Sequence, residues 1–325
     1  MTALACRYGK IAVLAPSAST TGGPELLHQL VHEIRLHGGD AAIHYVPDPT
    51  AEVPERYRCY DTPPLRALDL GKGDCIVAPE TMIRKLPLLS PADRYVWWLS
   101  FDFFESRRSS KAARVIANTY KAALLQLLTR LGTGHLFQSY YARSRLKPHL
   151  IGGELLSDYL SIEAAARDSA PREDLILYNP KKGIEITDRL RAAYPALTFV
   201  PIINMTKAEV EAIFRRAKIY IDFGEHPGKD RLPREAAMMG TVVVVGARGS
   251  AAFDEDINLT GSYKLAVDDT LPAAFQALIS DILTDFPRHQ AVQEAYRQVI
   301  TREREVFAQQ VRDVFFQPVP AAASH

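Results

Sequence analysis

Short apolar runs alternate with stretches of helical periodicity along most of the chain. The run Lys10 to Leu14 reads as a strand and ends in a small-residue loop, Pro16 to Gly23. After Pro24, the positions Leu26, Leu27, Leu30, Val31 and Ile34 recur at helical spacing until Gly38 and Gly39 stop them. A second strand, Ala41 to Val46, follows at once. The opening therefore predicts a β-α-β unit with parallel strands and a right-handed crossover.

Apolar runs recur at Asp74 to Ala78 and Tyr95 to Leu99, each leading into a polar loop: Pro79-Glu80-Thr81 and Ser100-Phe101-Asp102. Buried parallel strands have this appearance. A helix is expected over Ser110 to Leu131, a strand over His135 to Ser139, and a helix start over Tyr140 to Leu146. The segment SIEAAARDSAPRED, with its mixed charges and Pro171, is the best linker. Beyond it the alternation resumes: strand Leu175 to Tyr178, helix Ile184 to Tyr194, strand Thr198 to Ile202, helix Lys207 to Arg216, strand Ile219 to Asp222, helix Arg234 to Met239, strand Val242 to Val245. From Pro287 to Phe316, Val292, Tyr296, Val299, Ile300, Phe307, Val311 and Phe315 line one face of a long or broken helix.

This pattern is α/β, with two Rossmann-like, doubly wound parallel sheets. The expected division is residues 1–160, a linker at 161–172, a second domain at 173–286, a helical segment crossing back at 287–317, and a tail at 318–325. Such sheets bind ligands beyond the carboxyl ends of their strands, so the loops after strands matter most.

Composition narrows the picture. A formal net charge of +1 gives no global reason to expect a nucleic-acid partner. Three scattered cysteines, Cys6, Cys59 and Cys75, suggest neither a disulfide framework nor a zinc site, and fit a reducing cytoplasm. No stretch reads as a transmembrane span.

Three stretches can carry chemistry. Thr20-Thr21-Gly22-Gly23-Pro24-Glu25 lies between a strand and a helix, where glycines let backbone N–H groups approach a phosphate. It equally suits a tight turn with Pro24 at the first helical position. Tyr178-Asn179-Pro180-Lys181-Lys182-Gly183 puts two lysines between a strand and a helix, where they can neutralise a diphosphate leaving group or form a solvated turn. The third, Asp222 to Thr241, crowds acids, His226 and basic residues into a glycine- and proline-rich loop. There Glu235 on the first helical turn can accept ribose hydroxyls, and Arg231 or Arg234 can reach phosphates.

The order of these stretches, with N-P-K-K-G after one strand and P-R-E-A-A-M-M-G-T-V-V-V at a later helix, resembles the retaining E-x7-E (family 4-like) glycosyltransferases of the GT-B fold. The resemblance covers most of the chain in layout and the second domain in motif. It implies two domains facing a central cleft, an acceptor domain first and a nucleotide-sugar donor domain second. It implies that Glu235 binds the donor ribose, that Lys181 and Lys182 contact the diphosphate, and that Gly22 and Gly23 face the phosphates from the other domain. The donor is then a nucleotide diphosphate sugar, with no further cofactor and no metal.

One departure stands out: eight residues before Glu235 is Pro227, not glutamate. Either Glu225 substitutes from a longer loop, or His226 or Asp230 takes that role. H-P-G-K-D-R-L-P-R-E-A-A is more similar to bacterial enzymes of surface polysaccharide and O-antigen synthesis, rhamnosyltransferases among them, than to sucrose or glycogen enzymes. The expected acceptor is a glycan or lipid-linked saccharide.

Asp102 and Glu80 are the first-domain candidates for taking the acceptor proton, each with helix capping as its alternative. Arg107, Arg108, Lys111 and Arg114 form a basic cluster that suits an anionic lipid-linked acceptor, the inner membrane surface, or a solvated helix face. Trp97 and Trp98 lie in a predicted strand, and at least one belongs to the core. Two rivals remain: an inactive nucleotide-sugar-binding partner subunit, favoured by the missing glutamate, and a double-Rossmann nucleotide-sugar epimerase. A nicotinamide dehydrogenase is disfavoured because the glycine pattern is not G-x-G-x-x-G.

Overall fold

The computed structural model describes residues 4–19, 22–88, 90–104, 110–149, 151–161 and 171–319. The chain divides into two compact units, Met1–Asp158 with Glu305–His325, and Tyr159–Arg304.

In chain order the first unit contains β1 (Leu4–Cys6), β2 (Ile11–Pro16), α1 (Gly22–Leu36), β3 (Ala41–Val46), β4 (Cys75–Pro79), β5 (Asp93–Trp98), α2 (Phe101–Phe104), α3 (Lys111–Arg130), β6 (Gly134–Phe137), α4 (Tyr140–Leu146) and β7 (Glu154–Leu155). Strands β2 to β7 form a parallel six-stranded sheet in the order β3-β2-β4-β5-β6-β7. Ile11 aligns with Ala41 on one side and with Cys75 on the other. Every residue from Ile11 to Ala15 is fully buried, as a strand covered on both faces requires. Trp97 and Trp98 are both fully buried. Helix α1 buries Leu26, Leu27, Leu30, Val31 and Ile34 and stops at Gly38, whose φ of 85° is open to glycine at no steric cost. Helices α3 and α4 start on serine caps, Ser110 and Ser139, accepting from Ala113 N and Ala142 N.

The second unit contains β8 (Glu173–Tyr178), α5 (Ile184–Ala193), β9 (Thr198–Pro201), α6 (Lys207–Arg216), β10 (Ala217–Asp222), α7 (Arg231–Met238), β11 (Val242–Gly246), β12 (Lys264–Leu265), α8 (Leu271–Thr284) and α9 (Phe286–Val292). Its parallel sheet runs β12-β11-β10-β8-β9. Thr206 and Glu209 close a reciprocal capping box on α6.

The C-terminal helical stretch is broken, as its pattern allowed. Helix α10 (Glu294–Phe315) follows α9 after Gln293, whose amide bonds both the N–H (2.9 Å) and the carbonyl (2.8 Å) of Val243 in β11. Tyr296 and Ile300 of α10 join the second unit's core. Residues 305–319 belong to the first unit, where Phe307 stacks on Trp97 at 6.4 Å between centroids. There β13 (Phe316–Pro318) pairs antiparallel with β1. Both sheets are doubly wound, in agreement with the expected α/β class.

Candidate functional site

In a parallel α/β sheet the chain leaves its first strand in one direction and later returns to the other side. The loops flanking that switch point diverge and leave a crevice at the carboxyl ends. In the second sheet, β8 leads to β9 on one side while β10 lies on the other, so the switch point falls between β8 and β10. The loops after these two strands are Asn179 to Gly183 and Phe223 to Asp230.

The two loops press against one another. Gly183 has a φ of 58°, and a Cβ there would meet the backbone of Phe223 and Gly224 at 2.6 Å. A Cβ on Gly224 would in turn meet the Lys182 Cβ at 2.6 Å. Only glycine satisfies both demands at position 183. The first loop is further fixed by the Asn179 carboxamide, which accepts from Lys181 N at 3.0 Å.

This close approach builds a chain of charge. Lys182 Nζ donates to Asp230 Oδ1 at 2.5 Å, and His226 Nδ1 lies 2.8 Å from Asp230 Oδ2. His226 Nε2 faces the Asp222 carbonyl at 3.4 Å and the Asp222 carboxylate at 3.9 Å. Asp222 itself accepts from Gly224 N and from the Tyr220 hydroxyl. Burial works against protonation of His226, but the Asp230 hydrogen bond and the charges of Asp222 and Asp230 outweigh it and lift the imidazole above its ordinary pKa. Burial pushes Asp222 upward, reinforced by Asp230 and opposed by His226 and Lys182. For Asp230 burial also acts upward, but its bonds to His226 and Lys182 prevail and hold it below the usual carboxylate range. Asp222, His226 and Asp230 gather metal-ligand-type atoms within 4.8 Å among the described residues. Both oxygens of Asp230 are already engaged by Lys182 and His226, so the donor set is closed by internal pairs.

Two helices begin at this crevice. Gly183 caps α5 and Asp230 caps α7, and neither supplies a side-chain capping bond among the described residues. Asp230 is the usual capping residue type, yet its carboxylate is spent on Lys182 and His226. The helix starts thus present N–H groups and partial positive charge with no side-chain acceptor at either cap. Beside them, Arg231 Nε bonds Glu235 Oε1 at 3.2 Å one turn along α7, and both side chains remain partly exposed.

The expected site residues separate into distinct groups. Lys182, Arg231 and Glu235 come together at the second switch point, with Lys181 exposed beside them. Glu235 sits on the second turn of α7 rather than the first, because the helix begins at Arg231 and takes Pro233 into its first turn. Glu225 is exposed and ion-paired with Arg248 in the loop after β11. Two of the expected residues are enclosed. His226 is fully buried, with Nδ1 against Asp230 and Nε2 against the Asp222 carbonyl, and so helps set the loop's shape. Arg234 is only 1% exposed and is turned to internal partners. It bonds Glu303 of α10 at 2.7 Å and the carbonyls of Lys229 and Asp230 at 2.9 and 3.2 Å.

In the first unit the switch point lies between β2 and β4. Glu80 follows β4 directly and is buried, accepting from Leu99 N at 2.9 Å. Burial raises its pKa to about 7, against the backbone N–H groups of Leu99, Ser100 and Glu80 itself. Asp102 lies in the first turn of α2, partly buried, and accepts from the Tyr141 hydroxyl at 2.8 Å. Gly22 and Gly23 are the first residues of α1 rather than a loop, and the space beside Gly23 is open. Thr20, Thr21, Arg107 and Arg108 lie outside the described residues.

No family model matches the chain, and no curated protein matches it in sequence. Its likeness is to solved structures. The sucrose-phosphate synthase of Thermosynechococcus elongatus superposes with a TM-score of 0.66 at 15% identity, covering 94% of this chain and 98% of that one. HepE of Anabaena, solved with UDP, gives 0.60 at 10% identity over 94% and 98%. TarM of S. aureus, also solved with UDP, gives 0.55 at 10% identity over 75% of this chain and 55% of that one, so the chain spans about half of TarM. The fold is GT-B.

Within this GT-B chain, sequence reading missed the partners that hold the site together. Glu303, 69 residues beyond Arg234, uses its two oxygens on Arg234 and on Lys229, the latter at 3.0 Å. Arg248 holds Glu225 from another loop. Neither pairing has a local spacing signal. The close approach of Gly183 and Gly224 had a partial one, since each glycine lies in a loop that follows the carboxyl end of a strand.

Proposed function

We propose that the protein transfers a sugar, a hexose or deoxyhexose, from a nucleoside diphosphate donor to a glycan or lipid-linked saccharide acceptor. The observation that carries this reading is the convergence of Lys182, Arg231 and two helix starts free of side-chain caps at the second unit's switch point. A diphosphate there receives N–H donors from α5 and α7 and charge from Lys182, with Lys181 at the rim. Glu235, freed from Arg231 as that arginine turns to phosphate, accepts the ribose hydroxyls. The two structural neighbours solved with UDP support the choice of ligand class.

In the reaction the bond between the anomeric carbon and the diphosphate oxygen breaks while a bond to the acceptor oxygen forms. Negative charge grows on the departing diphosphate, and preorganised cations and N–H groups aimed at it lower the barrier. These side-chain and backbone donors supply the positive charge that a metal would otherwise bring. The acceptor proton passes to a carboxylate of the first unit, Asp102 or Glu80, in an inverting reaction, or to the leaving diphosphate in a retaining one. The anomeric configuration of the product separates the two. The setting in bacterial surface polysaccharide or O-antigen synthesis rests on the likeness of the segment His226 to Ala237 to enzymes of those pathways.

Titration of the chain with UDP, GDP, dTDP, ADP and CMP tests the reading. At least one nucleoside diphosphate is expected to bind, and Glu235→Ala to weaken it by about tenfold or more through loss of charge-assisted hydrogen bonds, with thermal stability unchanged. Absence of binding to every nucleotide contradicts the proposal. A second reading, an inactive nucleotide-sugar-binding partner subunit, draws on Pro227 at the position of the first motif glutamate. Binding without donor hydrolysis or transfer favours it.

A further inference from the structure

Helix α3 has two apolar faces. One buries Leu125 and Leu128, the only residues of its twenty that are fully enclosed. The other follows Ile116, Tyr120, Ala123, Leu127 and Leu131, at spacings of four, three, four and four residues, so these side chains form a single stripe along the helix. All five are exposed: Ile116 by 70%, Tyr120 by 55%, Leu127 by 44% and Leu131 by 42%, with Ala123 in the same class. Isolated exposed apolar residues need no explanation, but a continuous stripe over the length of a helix does.

Among the described residues, the side chains named around the stripe carry one sign of charge. Lys111, Arg114 and Arg130 on α3 are exposed, and α3 contains no Asp or Glu. The segment after β4 adds exposed Arg84 and Lys85, with the Arg84 guanidinium 4.9 Å from the centre of the Tyr120 ring. The same segment contributes exposed Leu88 beside the end of the stripe, because buried Arg94 bonds the carbonyls of Pro87, Leu88 and Leu131 together. None of Arg84, Lys85, Lys111, Arg114 and Arg130 is paired with a carboxylate among the described residues.

We propose that this face seats on an anionic phospholipid surface, with the α3 stripe and Leu88 entering the acyl boundary and the five basic side chains at the headgroups. An amphipathic helix with an apolar face and Lys/Arg flanks binds in this manner, by apolar burial plus attraction to anionic lipid. Charge complementarity selects this occupant. A second copy of α3 laid against the first would bring basic residues to basic residues with no acid on either helix, whereas an anionic bilayer neutralises all five. The inference rests on the first unit alone and is independent of the proposed reaction.

Co-sedimentation of the full chain with lipid vesicles tests it. The protein is expected to sediment with phosphatidylcholine vesicles containing phosphatidylglycerol, to remain in solution with phosphatidylcholine alone, and to be released by added salt. Ile116→Glu/Leu127→Glu and, separately, Lys111→Glu/Arg114→Glu/Arg130→Glu should each lower the partition to anionic vesicles by about tenfold or more. Because all five positions are exposed, both variants should keep the wild-type melting temperature and nucleotide affinity. Failure of the wild type to sediment, equal binding to both vesicle types, or wild-type binding by either folded variant overturns the proposal. A wild-type dimer in sedimentation velocity that Ile116→Glu/Leu127→Glu splits also overturns it, by assigning the stripe to a second copy.

Discussion

The two sheets have the same winding but very different carboxyl ends. At the second unit's switch point Lys182, Asp222, His226 and Asp230 form one connected set with the Arg231–Glu235 pair following directly on α7, and both loops are locked by the approach of Gly183 and Gly224. At the first unit's switch point the described residues hold Glu80, buried and solitary, and Asp102 one loop away, tied to Tyr141. The difference teaches that one fold can supply two kinds of site. A charged and preorganised crevice suits a ligand that brings its own negative charge, whereas a carboxyl raised by burial toward neutral pH suits the handling of a single proton.

The firmest part of the second unit's crevice lies beneath it, in the buried Glu303 that pairs with Arg234 and Lys229. Glu303→Ala removes the carboxylate that Arg234 and Lys229 share in a buried setting, and is expected to cost about 3–5 kcal/mol of stability in urea unfolding. Adding Arg234→Met to Glu303→Ala should recover part of that loss. A loss below about 1 kcal/mol for Glu303→Ala would mean that the loop from Glu225 to Arg234 holds its shape without this anchor.

The first unit has a pH-dependent counterpart. Glu80 titrates near pH 7 in the folded state, well above the ordinary glutamate value of about 4.5. The folded state therefore holds the proton more tightly, and stability falls as pH rises from about 4.5 through 7, by on the order of 3 kcal/mol in all. Glu80→Gln removes this loss, so its melting temperature relative to wild type should climb between pH 5 and pH 8. A difference that stays flat across that window would place the Glu80 carboxyl near its ordinary value and break the contrast between the two units.

Most of the architecture was legible because buried parallel strands are short unbroken apolar runs. Val242 to Val245 and Ala41 to Val46 needed nothing else, and Pro171 with its charged neighbours marked the break between the two series. Helix α8 carries an equally legible stripe, Leu271, Phe275, Ile279 and Ile282, although the alternation read from the sequence stops short of it. The pairing of β1 with β13 was not legible, since three residues at each end of the chain meet with no local signal. Helix α7 starts three residues before the expected Arg234 because proline is tolerated in a first turn, where its N–H is not needed.

The site was legible in composition and not in allocation. Lys182, Arg231 and Glu235 could be selected as residue types that recognise a diphosphate and a ribose. The same reasoning selected Arg234 and His226, whose true partners are Glu303, 69 residues away, and Asp230, which a loop of unknown shape had to deliver. Charge in a glycine-rich loop indicates a site, but only the fold decides which charges face outward.

The most direct test of the central claim is a calorimetric comparison of UDP and uridine on wild type and Lys182→Ala. A diphosphate held between the starts of α5 and α7 requires that Lys182→Ala weaken UDP by about ten- to a hundredfold while uridine binds as before. Equal losses for UDP and uridine, or UDP affinity unchanged by the substitution, would contradict a diphosphate site at the β8/β10 switch point.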